Sequence, residues 1–370
     1  MTLPLSTDGP HPSQPTSRPT SRPTSRRRRR ASAALLIGAL GLAGLAACAP
    51  ATPQPATPTF AAGIEPTLYE PAAKPCEAAN AYDKPGPLAL RNLLNATYGT
   101  IAAGVTRSCD GSTSEHHEGR ALDWMADYRN PTLQPKALAV IDWMRSSDTA
   151  GNTTAVARRL GVEYFIYNKQ MYGSWNNFNP TPYSCGTDPT ACHVDHIHFS
   201  FTWAGAYKQV SFWRGSPLPA VPAGGTTFSV AAANAAPALS PTQLVAGRTY
   251  TIEASGTYRF STAAGAIADA ECSAAGTSWT AGRSNPTYGT SALDLLVGGN
   301  SSFGGSTWTP VSDTGGGCNT RDHRYRMTVR PRVSMPITGV VLDDRVGNSG
   351  SLTLRVVAAS CRPGPRAGRH

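Results

Sequence analysis

The chain has 370 residues, 40% of them apolar and 15% charged, which supplies enough apolar material for packed cores and excludes a wholly disordered chain. That length corresponds to about two domains. The net charge of +10 does not imply a nucleic-acid partner: residues 1–47 carry seven Arg against one Asp, and the remainder holds 26 Lys and Arg against 22 Asp and Glu.

Residues 1–25 are Pro, Ser and Thr with scattered Arg and cannot build a core. Arg26–Arg30 followed by the apolar run from Ala33 to Ala47 is the pattern of an export signal, and the run is short for a membrane span. It ends Leu45-Ala46-Ala47-Cys48, which resembles a bacterial lipobox. The resemblance implies that Cys48 is diacylated and anchors the protein to the membrane; ordinary signal cleavage nearby is the alternative. Residues 48–75, rich in Pro, Thr and Ala, read as a tether. Export places the remaining cysteines in an oxidising space. Cys76 with Cys109, and Cys185 with Cys192, are the expected disulfides, while Cys272, Cys318 and Cys361 leave an odd number in the second half.

Residues 76–215 mix helix and strand signals and read as an α+β domain. Leu88 to Tyr98 reads as a helix, as do Leu133, Ala137, Val140, Ile141 and Met144, which share one apolar face. Val162 to Tyr167 and His196 to Phe201 read as strands. Residues 216–243 are Pro- and Ala-rich without a charged residue and read as a linker with at most one short strand. Residues 244–361 hold strand-like runs between Gly, Asn and Asp clusters, which predicts an all-β sandwich, and 362–370 are a tail.

Five of the eight histidines, at 116, 117, 193, 196 and 198, fall in two short segments, Ser114 to Asp123 and His193 to His198. On a strand His196 and His198 share a face opposite Ile197. His116 and Asp123 converge if Gly119 lets the chain turn between them. A His, Asp, His set suits zinc with a fourth position left open, the catalytic pattern. Surface hydrogen bonding and turn stabilisation are the plainer uses of the same residues.

Ser114-x-His116-x-x-Gly119-x-Ala121-x-Asp123 resembles the SxHxxGxAxD signature of the zinc D-alanyl-D-alanine carboxypeptidases, dipeptidases and phage endolysins of the Hedgehog/DD-peptidase fold. An exported actinobacterial branch of that fold is closer still. The resemblance covers about 140 residues and implies His116, Asp123 and His198 as zinc ligands and Asp195 as the base. It also implies Arg107 as the substrate-facing arginine, taken to lie on a strand, and His196 as the further histidine of an H-x-H motif. Ser114 and His196 would orient substrate or metal ligands. His196-Ile197 replaces the aromatic pair usual between base and ligand in the carboxypeptidases, so D-Ala-D-Ala specificity does not carry over. Glu118 competes with Asp195 for the acid/base role, and His117 is expected to face elsewhere. Tyr164, Tyr167, Tyr172 and Trp175 are candidates for lining the cleft, against ordinary packing.

The second half resembles the galactophilic lectin A type of β-sandwich in its runs at 246–256, 293–298 and 342–352. That resemblance implies a calcium loop, with Asp344 and Asn348 among its ligands, that binds glycan; a structural or partner-binding sandwich is the alternative. Asp269 and Glu271 have no assigned place. The expectation is an extracytoplasmic zinc peptidase acting on peptidoglycan stem peptides, with a non-catalytic wall-binding lipoprotein carrying a structural zinc as its rival.

Overall fold

A computed structural model describes residues 52–61, 63–70, 72, 76, 81–234, 236–281, 284–285, 290–291, 295–297, 309–310, 318–332, 334–341 and 347–359. The signal segment, Cys48, Asp344, Cys361 and the tail lie outside these residues. The chain is mixed α and β with a large share of sheet, and no described helix is long and apolar enough to cross a membrane.

The first lobe begins with α1 (Pro85–Tyr98), where Pro85 opens the helix and Leu90, Leu94 and Tyr98 recur at helical spacing as its buried stripe. In chain order come β1 (Ala103–Gly104), a 3₁₀ turn (Glu115–Glu118), β2 (Ala121–Trp124), α2 (Gln134–Arg145) and α3 (Ala155–Leu160). Then follow β3 (Val162–Tyr167), β4 (Gln170–Gly173), β5 (Pro180–Pro182), β6 (Ile197–Phe201), α4 (Trp203–Ala206) and α5 (Ser211–Arg214). The six strands form one antiparallel sheet in the order β1-β2-β6-β3-β4-β5. Alternation sorts its faces: Leu122, Trp124, Phe165, Ile197, Phe199 and Phe201 enter the core shared with α1 and α2. Asp123, His198 and Ser200 occupy the alternate positions, and these carry the polar chemistry.

The expected tether is not free. Residues 52–61 and 63–70 run as a strap along this lobe. Tyr98 donates its hydroxyl to the Pro53 carbonyl at 2.7 Å, and Trp143 Nε1 donates to Thr57 Oγ1 at 2.7 Å. Phe60 packs on Phe212, with Arg159 over its ring at 4.2 Å. Two strap carboxylates are buried: Glu65 accepts from the Ser211 hydroxyl at 2.6 Å and from its backbone N–H, and Glu70 accepts from the Trp203 N–H at 2.6 Å. Composition pointed to a tether, but each glutamate answers otherwise orphaned donors at the start of a short helical segment.

The linker expected over 216–243 is likewise structural. Thr226–Ala231 pairs with Ser349–Ala358, and Ala238–Leu244 pairs with Met335–Val341. Strands Tyr250–Ser255, Arg324–Val329, Met335–Val341 and Ser349–Ala358 lie in the region expected to be all β, and their apolar side chains share one core. In the last strand Leu352, Leu354 and Val356 point in while Ser351, Thr353 and Arg355 point out. The second lobe is therefore a β-sandwich that begins well before residue 244. Asn348 donates to the Ala232 carbonyl at 3.0 Å. Asp269 is fully buried and accepts from His323 Nδ1 at 2.9 Å and from the Tyr325 hydroxyl at 3.0 Å.

Cys76–Cys109 and Cys185–Cys192 are bonded as expected, and Cys272–Cys318 is a third bridge among the described residues. These bridges fit an oxidising, extracytoplasmic compartment.

Candidate metal centre

His116 sits in the 3₁₀ turn, which Ser114 caps by accepting from the His116 N–H. Gly119 ends the turn at φ 64°, and a Cβ there would overlap the Tyr82 carbonyl, so only glycine brings the chain round into β2. Asp123 on β2 and His198 on β6 are direct register partners. One ligand atom from each of His116, Asp123 and His198 falls within 4.8 Å of the others, and all three residues are buried.

The donor set suits a cation. His116 Nδ1 lies 2.5 Å from the Val105 carbonyl, which only accepts, so the proton is on Nδ1 and the Nε2 lone pair faces inward. That lone pair is 3.1 Å from Asp123 Oδ1 and 3.2 Å from His198 Nδ1. Ser200 Oγ, 2.8 Å from His198 Nε2, can accept that nitrogen's proton and leave Nδ1 for a metal. Burial opposes ionisation of Asp123, but the three imidazoles around it hold its carboxyl far below the usual range. Burial pushes His198 below the ordinary histidine value, keeping it neutral as a ligand must be.

Arg107 donates from Nη2 to Asp123 Oδ2, and its side chain is 56% exposed. It lies in the loop after β1 and not on a strand, as the resemblance had implied. Asp195 accepts from Thr190 Oγ1 at 2.5 Å and from His196 Nδ1 at 2.7 Å; burial works against its charge, but these two bonds outweigh it and lower its pKa. His196 Nε2 is 3.3 Å from Asp123 Oδ1, so Asp195 joins the cluster through His196. Burial disfavours charge on His196, and the two aspartates overcome it, raising its pKa.

A cleft of about 520 Å³ opens onto this cluster, with His116, His196 and His198 in its wall beside Arg107 and Ser114. Tyr183, Asp188 and Thr190, on and beside the loop closed by Cys185–Cys192, line the cleft as well. His193 also faces it. Burial, then the neighbouring His198 and His196, lower its pKa to about 3, and its Nδ1 has no hydrogen-bond partner among the described residues.

Tyr164 stacks on His198 at 5.6 Å and donates to Glu115 Oε2 at 2.7 Å. The other aromatic candidates divide. Tyr167 is buried in the core, and Tyr172 stacks on Phe165 at 4.6 Å. Trp175 is not in the cleft lining and lies 6.0 Å from the Tyr164 ring. Glu118, the rival acid or base, is committed to Arg120 Nε at 2.6 Å. His117 faces elsewhere, 3.1 Å from Ser112 Oγ and 3.1 Å from Asp110. Sequence reasoning gave no role to Glu115, Thr190 or Ser200. Ser200 was readable, two residues beyond His198 on the same strand face.

Residues 84–194 match the family described as "VldE, C-terminal domain", a stretch that includes His116, Asp123 and His193 and stops before His196 and His198. No curated protein matches the chain. A solved structure titled "EclA N-terminal domain; PllA-like lectin" is similar at 18% identity and a TM-score of 0.23, covering 36% of this chain and 96% of that one.

Proposed function

We propose that the protein is an extracytoplasmic zinc-dependent peptidase that hydrolyses amide bonds in peptidoglycan stem peptides, held at the membrane through Cys48. The convergence of inward-facing donors of His116, Asp123 and His198 at an open cleft carries this reading. A zinc ion held there supplies Lewis acidity, polarising an amide carbonyl and acidifying water.

The protein's own residues supply the rest. Arg107, tied to Asp123 by one nitrogen, offers its remaining N–H groups to a substrate oxyanion or carboxylate. Asp195 and His196 form the proton-handling pair: Asp195 holds the Nδ1–H and turns Nε2 toward the cluster. A proton taken from the nucleophile by this pair returns to the leaving amine. His193, kept neutral, gives the cleft wall a further acceptor or donor.

The test is incubation of the full chain, zinc-loaded and metal-stripped, with peptidoglycan and synthetic stem peptides, products being read by mass spectrometry. Zinc-dependent cleavage that disappears in Asp195→Ala while zinc is retained supports the reading. Zinc binding without cleavage of any substrate overturns it in favour of a wall-binding protein. That second reading needs a fourth protein ligand to close the coordination, and its candidate is His196, whose Nε2 lies 3.3 Å from Asp123 Oδ1. In that reading the sandwich, proposed from its lectin resemblance to hold glycan and calcium, carries the binding.

A further inference from the structure

Trp175 is the most exposed large apolar residue described, at 56%, and Tyr69 stands at 47%. A single exposed ring needs no explanation. These two form a fixed pair, with centroids 5.1 Å apart and planes at 69°. Both also contact Tyr164, at 6.4 Å from Tyr69 and 6.0 Å from Trp175. Tyr164 lines the cleft and stacks on His198, so the pair stands one ring away from the cleft wall.

The pair is built in. Gly173 ends β4, and the Trp175 indole occupies the space that a Cβ there would need. Tyr69 arrives from the strap, fixed on one side by the Leu68 carbonyl, which accepts from Ser174 Oγ at 2.8 Å, and on the other by buried Glu70. Both rings are thus preset and lose little freedom on binding. No charged side chain stands among Ser174, Trp175, Asn176 and Asn177. Asn177 uses Oδ1 to accept from Thr154 at 3.1 Å, which leaves amide hydrogens to offer.

We propose that Trp175 and Tyr69 form a platform for one pyranose ring of an oligosaccharide, adjoining the cleft. A pyranose presents an apolar C–H face to an aromatic ring and hydroxyls at its rim, which matches uncharged aromatic surface flanked by amides. The inference rests on the proposed function only for the source of the sugar, the glycan strand to which stem peptides are joined.

The full chain is titrated with N-acetylglucosamine tetramer by calorimetry. Wild type binds, Trp175→Ala and Tyr69→Ala each weaken binding about tenfold, and Trp175→Phe retains most of it. Circular dichroism confirms that the variants are folded. Absence of binding by wild type overturns the proposal. Equal binding by wild type and Trp175→Ala also overturns it, since the sugar is then held elsewhere, as on the sandwich. If Trp175→Ala loses affinity only for a sugar-free stem peptide, the platform is a peptide site and the proposal fails. The titration needs no catalysis, so an inactive wild type would remove the proposed function and leave this result standing.

Discussion

Asp123 Oδ1 and His198 Nδ1 stand 2.9 Å apart as register partners on adjacent antiparallel strands. Sheet pairing therefore fixes two of the three candidate ligands, and only His116 depends on a turn.

Ser200 follows from the same geometry. Its hydroxyl is the partner of His198 Nε2, so Ser200→Ala leaves that nitrogen without its acceptor and the ring without its orientation. Zinc affinity should fall by about 10- to 100-fold, as expected for a lost ligand-orienting contact. Competition against a chromogenic chelator measures it, and unchanged affinity would sink the tautomer assignment.

Gly119→Ala tests the turn. The left-handed backbone costs a non-glycine residue about 1–2 kcal/mol, and the new Cβ meets the Tyr82 carbonyl in addition. Urea unfolding should show at least that loss of stability, together with reduced zinc stoichiometry. A variant of native stability would mean that the turn tolerates a side chain.

Glu65→Ala tests the strap. It strips the Ser211 N–H and hydroxyl of their acceptor in a buried setting, at a cost of about 1–3 kcal/mol. Amide exchange over residues 52–70 should quicken more than exchange in β6. Uniform exchange rates across both would argue that the strap is not independently held.

Lys84 gives a pH signature. Burial lowers its pKa from 10.5 to about 8, against the opposing pull of Glu118 and Asp83. Between those values the unfolded chain binds the proton more readily than the folded one, so folding gains stability as pH rises through that window. Lys84→Met has no such proton. The stability difference between the two should therefore shift toward wild type between about pH 8 and about pH 10.5, and a constant difference would refute the lowered value.

The site was legible in the sequence where its geometry is local. His116, Gly119 and Asp123 lie within one short segment, and His196 with His198 at one strand entrance, so spacing offered a convergence inside each segment, while the ligand set that joins the two segments came from the resemblance. Cys185–Cys192, 7 residues apart, was legible for the same reason, whereas Cys76–Cys109, 33 apart, was expected only as the other pair in the first half. What spacing could not carry is partnership at long range. Glu65 answers Ser211 and Glu70 answers Trp203, and nothing in a Pro/Thr/Ala-rich stretch announces that its two carboxylates will be buried. The segment 226–244 fails similarly: without charges and rich in Ala it reads as a linker, while its strand partners lie about a hundred residues downstream. Glu118 illustrates the reverse, since its place inside the motif marked it as reactive while its actual neighbour is Arg120.

The strap also sets a working radius. Pro53 is already hydrogen-bonded to Tyr98 in the first helix, only five residues after Cys48. If Cys48 carries the proposed acyl anchor, those five residues reach at most about 18 Å when fully extended. A lobe on the long leash that composition suggested would sweep a deep volume around its anchor. One so anchored would be confined to the layer next to the bilayer. Lengthening the segment between Cys48 and Pro53 would then widen the cleft's reach and leave the site itself untouched.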